Sequence, residues 1–588
     1  MSVSYSEILK LNKELGGKLS SSTYQVTVLS NCTVSLVKEI LEYSLRLEGI
    51  NALVTTGDYD NIIQDTLKYK DSNLIIIFWE LCNIMDGLHH KIELFNEEQI
   101  GELFEKVKSE IDLALENLSH SSLVLMNKFT ALPFYNSNLH INNLERLAVQ
   151  LNDYLKNKKW ENVIVVDVDK VVASLGREKS IDMRYYYSSK ALYTVDFFKD
   201  YAEHVKPLIM AVSGKSRKAL IFDCDNTLWK GILGEDGFEN IEMSAMTKDG
   251  SIFSEVQNIA KALYKRGILI GLCTKNNEKD VEEVIKSHPD MQLRDEHISV
   301  KRVNWFDKSR NLIEIAQELN IGLDSIVFVD DSSFEVGFIQ KLLPDVKVLQ
   351  VPERLSDYPK MLRENTGLFL DMSLTDEDKN KTEIYKVQKK RENAKGEFSS
   401  IEDYLVSLKL KMTIFEDDET LIPRISQMSQ KTNQFNLTTK RYSEMDIRGF
   451  IQDDATKVYA FALLDKFGDS GVTGVGVIHF DSKNRTGNID TFLMSCRIIG
   501  RNVEYVFMDY LINAMMENKV EKVNAIYIKT LKNGLTRDFY EQCSFTLKEA
   551  TDSRKNYVLD ISQYRSRQIN YIEVVNGKKN NKDFVKCA

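Results

Sequence analysis

The sequence predicts a multidomain α/β protein, on three observations: short apolar runs alternate with amphipathic stretches, the chain has 588 residues, and its composition is that of a folded globular protein. At ~100–200 residues per domain, that length exceeds what one hydrophobic core holds. With 43% apolar residues and only 7 prolines, the chain is neither a disordered nor a proline-rich scaffold. The formal charge of −10, with no dense Lys/Arg run, argues against a nucleic-acid partner, because counterion release from phosphates needs clustered positive charge. The longest apolar run, Leu74 to Trp79, falls far short of the ~20 residues of a membrane span, and Met1 to Glu7 carries no basic and apolar leader. No membrane partner is therefore expected, and the location expected is cytoplasmic. The 7 cysteines show no CxxC or metal-type spacing, so they read as free thiols.

In chain order, Gln25 to Leu29 alternates as a strand, Ser30 to Thr33 supplies a turn and helix cap, and Val34 to Leu47 has helical periodicity. With further apolar runs at Leu74–Trp79, Ser122–Met126 and Val163–Val168, residues 1–205 form a first expected parallel α/β domain. A second domain, 215–370, has sharper strands at Ala219–Phe222, Ile268–Leu272 and Ile326–Val329, each ending at polar residues. Residues 371–398, centred on the charged stretch Thr375 to Glu397, read as a helical connector. A third, mixed α/β domain is expected over 399–563, with strands at Val458–Leu464, Gly474–Phe480 and Lys522–Ile528 and a helix from Glu504 to Met516. Residues 564–588, including Lys578 to Lys582, read as a polar tail.

The chemistry concentrates in Phe222-Asp-Cys-Asp-Asn-Thr-Leu-Trp229, directly after an apolar strand. Ligands in open parallel sheets sit at strand C-termini. Two carboxylates two residues apart at such an end can share a divalent cation, and hard oxygen donors point to Mg²⁺. Thr274 ends a later strand, Lys308 opens a helix, and the pair Asp330-Asp331 ends another strand. Four stations in this order make a chance match to the first motif a poor explanation.

These four stations resemble the haloacid dehalogenase superfamily of phosphoryl-transfer enzymes. The resemblance implies that Asp223 is the nucleophile and Asp225 the general acid/base, that Thr274 and Lys308 grip the phosphate, and that Asp223, Asp225, Asp330 and Asp331 hold Mg²⁺, Asp225 through its backbone carbonyl. The stretches Thr227 to Gly237, Cys273 to Asn277, Asn304 to Lys308, Val329 to Glu335 and Lys431 to Tyr442 together resemble the FkbH-like branch. Within them Thr227, Lys275 and Asn276 are expected to bind substrate. That branch implies loading of a three-carbon glyceryl unit from 1,3-bisphosphoglycerate onto the phosphopantetheine thiol of an acyl carrier protein, with loss of phosphate, to supply polyketide-type biosynthesis. Such a reaction invites a protein thiol. Cys224 is a candidate acyl carrier, although strand alternation turns it away from Asp223 and Asp225; Cys273 and Cys496 are lesser candidates, and burial as a small hydrophobe is the competing reading for all three. A stand-alone phosphatase acting on another small phosphorylated metabolite is the alternative function, and a non-catalytic multidomain scaffold the second.

The third domain resembles the GNAT acyltransferase fold: Arg497-Ile-Ile-Gly-Arg-Asn-Val503 precedes a helix whose N-terminus would cradle phosphates, with Arg497 and Gly500 as binding residues, and Asn533 and Phe539 to Phe545 match the closing elements. Asn502 and Ser544 replace glycines of that pattern, which favours a pantetheine or carrier surface over tight coenzyme A binding. The first domain resembles an SGNH-type hydrolase, with Ser30 at the nucleophile position and Asn127 after a later strand. The partner base is missing, since Asp182-Met-Arg-Tyr185 has Tyr where that family has His, and a phenol of pKa ≈ 10 is a poor base at pH 7. A docking or structural role is expected there. His89, His90 and His120 lack partners at ligand spacing and read as solvated.

Overall fold

The structure, a computed structural model, describes residues 3–19, 23–119, 121, 123–134, 141–158, 160, 162–370, 400–530 and 532–577. The expected connector 371–398, His120, Cys587 and the Lys578–Lys582 stretch lie outside the described residues. The chain forms two compact units, Met1–Ile209 and Met210–Ala588.

In the first unit, strands β1 Tyr24–Ser30, β2 Ala52–Thr56, β3 Leu74–Phe78, β4 Val124–Asn127 and β5 Val163–Val166 make a parallel sheet in the order β2-β1-β3-β4-β5. All five residues of β3 are buried, because crossover helices cover both faces of a parallel sheet and leave no polar side. The helix after β1 runs Val37–Leu47 and starts at Leu36 without a side-chain cap. The cap expected from Ser30 to Thr33 is absent because those hydroxyls are committed elsewhere: Ser30 donates to the Cys32 carbonyl at 2.8 Å and Thr33 to the Ser189 carbonyl at 2.6 Å.

The second unit contains two sheets, one over the expected second domain and one over most of the expected third and beyond it. Strands β6 Ala219–Phe222, β7 Leu269–Thr274, β8 Ile298–Val303, β9 Ile326–Asp330 and β10 Lys347–Gln350 form a parallel sheet in the order β10-β9-β6-β7-β8. β6 lies at its centre and is fully buried, so the residues after Phe222 emerge in the middle of the sheet's C-terminal edge. A Cβ at Gly271 in β7 would come within 2.6 Å of Ile221, so the close packing of β7 on β6 requires glycine.

The last sheet is mixed. Its strands are β11 Leu410–Glu416, β12 Phe435–Asn436, β13 Thr456–Asp465, β14 Gly468–Asp481, β15 Thr486–Met494, β16 Lys522–Ile528, β17 Thr546–Ala550, β18 Arg554–Asp560 and β19 Ile572–Asn576, in the order β17-β18-β16-β15-β14-β13-β11-β19, with β12 on β15. β19 corrects the expected polar tail from 564: Ile572 to Asn576 pairs in parallel with Leu410 to Ile414, because a short strand with two valines finds an open edge in β11. The two sheets of this unit are tied at several points. The Asn320 amide donates to the Cys496 carbonyl at 2.6 Å, Lys532 pairs with Asp324, and Gly214, at φ +69°, meets the Gln430 carbonyl so closely that a Cβ there would lie 2.0 Å from it. Among the described residues no helix is long and apolar enough to cross a membrane.

Candidate active site

β6, β7 and β9 are adjacent, and their C-terminal ends bring together Asp223, Thr274 and Asp330 from positions about 100 residues apart in sequence. Lys308 reaches the same point from the first residue of the helix Lys308–Glu318. Its ammonium lies 3.0 Å from Asp223 Oδ1 and 2.7 Å from Asp330 Oδ2, and its side chain is 6% exposed. Thr274, at the end of β7, helps Lys308 oppose the upward push of burial on the Asp223 carboxyl.

Asp223, Asp330 and Asp331 each offer a carboxylate oxygen within 4.8 Å of the others, and they are the one such group of His, Cys, Asp and Glu among the described residues. Three carboxylates against one ammonium, two of the carboxylates buried and the third half-buried, leave an excess of negative charge when ionised, so a divalent cation with hard-oxygen preference fits the donor set. The electrostatics carry the same strain. Burial drives the Asp223 carboxyl above its ordinary value; Lys308 opposes this and Asp330 adds to it. Asp331 is raised by burial and then by Asp330. Burial pulls the Lys308 ammonium down, but Asp223 and Asp330 outweigh it and hold it above its usual value.

Asp225 stands apart from the three converging carboxylates. Its Oδ1 accepts from the Trp229 indole N–H at 2.9 Å and from the Leu233 backbone N–H at 3.0 Å, and its Oδ2 accepts from the Asn276 amide at 2.9 Å. Its carboxylate thus turns away from the other three, with Oδ1 taken by two N–H donors and Oδ2 by one. Asn276, expected to bind substrate, instead spends its amide on Asp225. Lys275 forms an ion pair with Glu335 at 2.7 Å. Thr227 is fully buried with its hydroxyl unpartnered, while its carbonyl accepts from the Tyr358 hydroxyl at 3.0 Å. Sequence reading missed Trp229, Tyr358 and Glu335 as site residues. Trp229 and Glu335 lay inside the motif stretches and could have been weighed; nothing local marks Tyr358, which arrives from the helix Tyr358–Asn365 by folding alone.

The thiol candidates fare differently. Cys224 is fully buried in the core, and burial raises its thiol well above the ordinary value, with Asp223 and Asp225 adding to the effect. An acyl-carrying role for Cys224 is therefore corrected to a packing role, since a thiol without access or thiolate character is not a nucleophile. Cys273 is likewise buried and raised by burial. Among the described cysteines only Cys496 is not buried.

The expected phosphate cradle in the last sheet is poorly built for an anion. The helix Val503–Glu517 carries Glu504 in its first turn, whose carboxyl is buried, has one oxygen unpartnered, and already occupies the positive end of the helix dipole. Arg501 is spent on Asp465 at 3.1 Å, and Arg497 donates to the Ser495 hydroxyl. Gly500 adopts φ +83°, so a glycine is needed there for the backbone. β15 and β16 pair in parallel only over Thr486–Ile489 and Lys522–Ala525, and the gap beyond is filled by the chain itself. Leu437 N–H donates to the Phe492 carbonyl, Ile528 N–H donates to the Leu437 carbonyl at 2.8 Å, and the Asn533 amide donates to the Asn436 carbonyl at 3.0 Å. The Lys431–Tyr442 stretch thus wedges the sheet, with Lys440 and Tyr442 both anchored on Asp490.

Among the described residues of the first unit no hydrolytic triad forms. Ser30 is buried and donates to a backbone carbonyl. Asn127 accepts from the Tyr201 hydroxyl at 2.8 Å, Tyr185 is exposed, and Asp182 caps the helix Met183–Ser189 while pairing with Arg184. His89 is half-buried and stacks on Phe134 at 3.9 Å, which corrects its reading as a solvated residue.

No family model matches the chain, and none of the curated proteins matches it. Among solved structures, it is similar to the N-terminal part of the protein BF1531 from Bacteroides fragilis, which contains a phosphatase domain and was crystallised with Mg: 25% identity, a TM-score of 0.56, and coverage of 63% of this chain and 100% of that one. Slighter similarity extends to a spermidine/spermine N-acetyltransferase from Vibrio cholerae, at 13% identity over 26% of this chain and a TM-score of 0.22, and to the ribosomal-protein-S18-alanine N-acetyltransferase from Escherichia coli, at 14% and 0.21. Each covers at least 95% of the acetyltransferase, and neither carries an argument about activity.

Proposed function

We propose that this chain is a Mg²⁺-dependent phosphoryl-transfer enzyme of the haloacid dehalogenase type, acting in the cytoplasm to load a glyceryl unit from 1,3-bisphosphoglycerate onto the phosphopantetheine thiol of an acyl carrier protein with release of phosphate. The observation that carries the phosphoryl-transfer part is the convergence of Asp223, Asp330 and Asp331 around the Lys308 ammonium; the Mg-bound phosphatase domain of the Bacteroides fragilis protein supports it. The glyceryl part rests on the motif stretches that resemble the FkbH-like branch. An intact carboxylate and lysine set opposes the scaffold reading.

In the proposed chemistry Asp223 attacks phosphorus through a carboxylate oxygen, the bond to the leaving oxygen breaks, and Asp225 gives that oxygen a proton. Water then attacks the aspartyl phosphate and returns a proton to Asp225, freeing phosphate. Lys308 and Thr274 face the charge that spreads over the transferring oxygens. Asp223, Asp330, Asp331 and the Asp225 carbonyl would hold Mg²⁺, which when bound offsets negative charge on the phosphoryl group. In acyl transfer the carrier thiol attacks the C1 mixed-anhydride carbon, the bond from that carbon to the phosphate oxygen breaks, and the thiol proton leaves with the C1 phosphate; the phosphoryl group that Asp223 removes is then that of the C3 ester.

The stand-alone phosphatase reading also has an observation in its favour. The gap beside β15 is closed by residues 435–437, and Glu504 opposes an anion at the adjacent helix start, so an extended phosphopantetheine arm finds no open edge there. Intact mass spectrometry of a phosphopantetheinylated carrier protein incubated with the enzyme, Mg²⁺ and 1,3-bisphosphoglycerate separates the two. A gain of one glyceryl group is expected. Phosphate release from small esters without that gain would establish the phosphatase instead.

A further inference from the structure

Trp229 is fully buried, and its ring belongs to the core beside Leu228, Phe253 and Tyr358. A buried indole needs a partner for its one N–H, and many would serve. Here the partner is Asp225 Oδ1, which also receives the Leu233 backbone N–H, while Oδ2 receives the Asn276 amide alone. The two oxygens are therefore unequal. Oδ1 has both its lone-pair directions taken by N–H donors, and Oδ2 keeps one free.

We infer that Trp229 is a positioning residue: by saturating Oδ1 it fixes the carboxyl plane of Asp225 and leaves Oδ2 as the oxygen that exchanges the proton with the leaving group. This rests on the phosphoryl-transfer reading of the site. The indole sits four residues beyond Asp225 on the same turn, and the backbone bridge between Asp225 and Trp229 keeps the pair in register. Asn276, from the loop after β7, holds Oδ2 from the other side, so rotation about the carboxyl bond is blocked at both oxygens. A proton donor matters most when the leaving oxygen is strongly basic and least when it leaves readily as an anion, so the effect of losing orientation depends on the leaving group.

The test is steady-state kinetics of the full-length enzyme with Mg²⁺ on two esters, an alkyl phosphate and 4-nitrophenyl phosphate. Trp229→Phe keeps the aromatic ring and removes the N–H. In kcat/KM, which reports the phosphorylation of Asp223 in which the leaving group departs and not the dephosphorylation common to both esters, it is expected to lose about tenfold or more on the alkyl ester, a fraction of what a general acid contributes, and under about threefold on the aryl ester. Asp225→Asn is expected to show the same selectivity, more strongly. Equal losses on the two esters, or no loss on either, would overturn the assignment. Should Trp229→Phe fail to fold by circular dichroism, Asn276→Ala opens the clamp from Oδ2 and must show the same leaving-group selectivity; a uniform loss there overturns the inference equally. A wild-type enzyme that turns over neither ester overturns the phosphoryl-transfer reading, and the role of Trp229 with it.

Discussion

The two parallel sheets present chain ends in the same way, at the C-terminal edge of adjacent strands, and fill those ends with opposite kinds of group. At the ends of β6, β7 and β9 the side chains are charged and mutually dependent: Lys308 bridges two aspartates, a third stands beside them, and Asp225 is held by three N–H donors. At the ends of β1, β3 and β4 the polar side chains are spent mostly on one another and the backbone, although the Asn127 amide nitrogen is buried without a partner. Asn31 exchanges hydrogen bonds with the Glu80 backbone at 2.6 and 2.9 Å, Ser30 donates to Cys32, and Asn127 accepts from Tyr201. The lesson is that strand-end position alone does not make a site. What distinguishes the two edges is an excess of negative charge, which a bound cation can offset, against polar groups that for the most part pair within the fold.

The comparison breaks most sharply at Asp223. Asp223→Asn is expected to reduce phosphate release on the order of 10³-fold or more while circular dichroism stays that of the parent, because an amide cannot attack phosphorus but fills the same space. Retained turnover would remove the nucleophile and the contrast with it.

A middle-sized effect is expected at Glu80, the buried carboxyl of the quieter edge. Burial pushes it up to about 7, with the Tyr193 hydroxyl pulling the other way. The folded value lies above the unfolded one, so this carboxyl supports the fold while protonated: its contribution is complete below about pH 4.5 and is lost as pH rises to about 7, a change of about 3 kcal/mol. Glu80→Gln should flatten that part of the stability curve and raise the unfolding temperature above wild type at pH 8 but not at pH 4.5. Parallel curves for the two proteins between pH 4.5 and 8 would show that Glu80 is ionised in the fold.

The smallest effect is expected at Ser30. Ser30→Ala should leave phosphate release unchanged and should not alter hydrolysis of a short acyl ester, since the hydroxyl is buried and donates to the Cys32 carbonyl with no base among the described residues facing it. An esterase activity that disappears with Ser30 would mean that the first sheet has a working site after all.

Much of the fold and of the site is legible in the order of residues alone. The apolar runs at Ala219–Phe222 and Ile326–Val329 predict buried parallel strands, because a strand covered on both faces tolerates no polar residue, and the polar residue ending each run marks where chemistry can sit. Other features are hidden for physical reasons. β2 escapes a reading of apolar runs because Ala52 to Thr56 is short and half exposed. β19 escapes it because its five residues follow a polar stretch and are recruited by an edge that forms over 150 residues earlier. The number of compact units is beyond reach too, since the ties between the second and third sheets, Asn320 to Cys496 and Lys532 to Asp324, join residues with no local signal.

By itself the sequence determined the identity and order of the reactive groups: Asp223 and Asp225 after one strand, Thr274 after the next, Lys308 on a helix, Asp330 and Asp331 after a third. Side-chain chemistry and strand periodicity are local properties, and they are written in adjacent residues. The tertiary structure alone decided which of those groups touch. It set Lys308 between Asp223 and Asp330, turned Asn276 from substrate toward Asp225, paired Lys275 with Glu335, buried Cys224, and closed the gap beside β15 with residues 435–437. Those outcomes depend on which strands become neighbours and how tightly they pack, and packing sums contributions from the whole chain that no window of sequence contains.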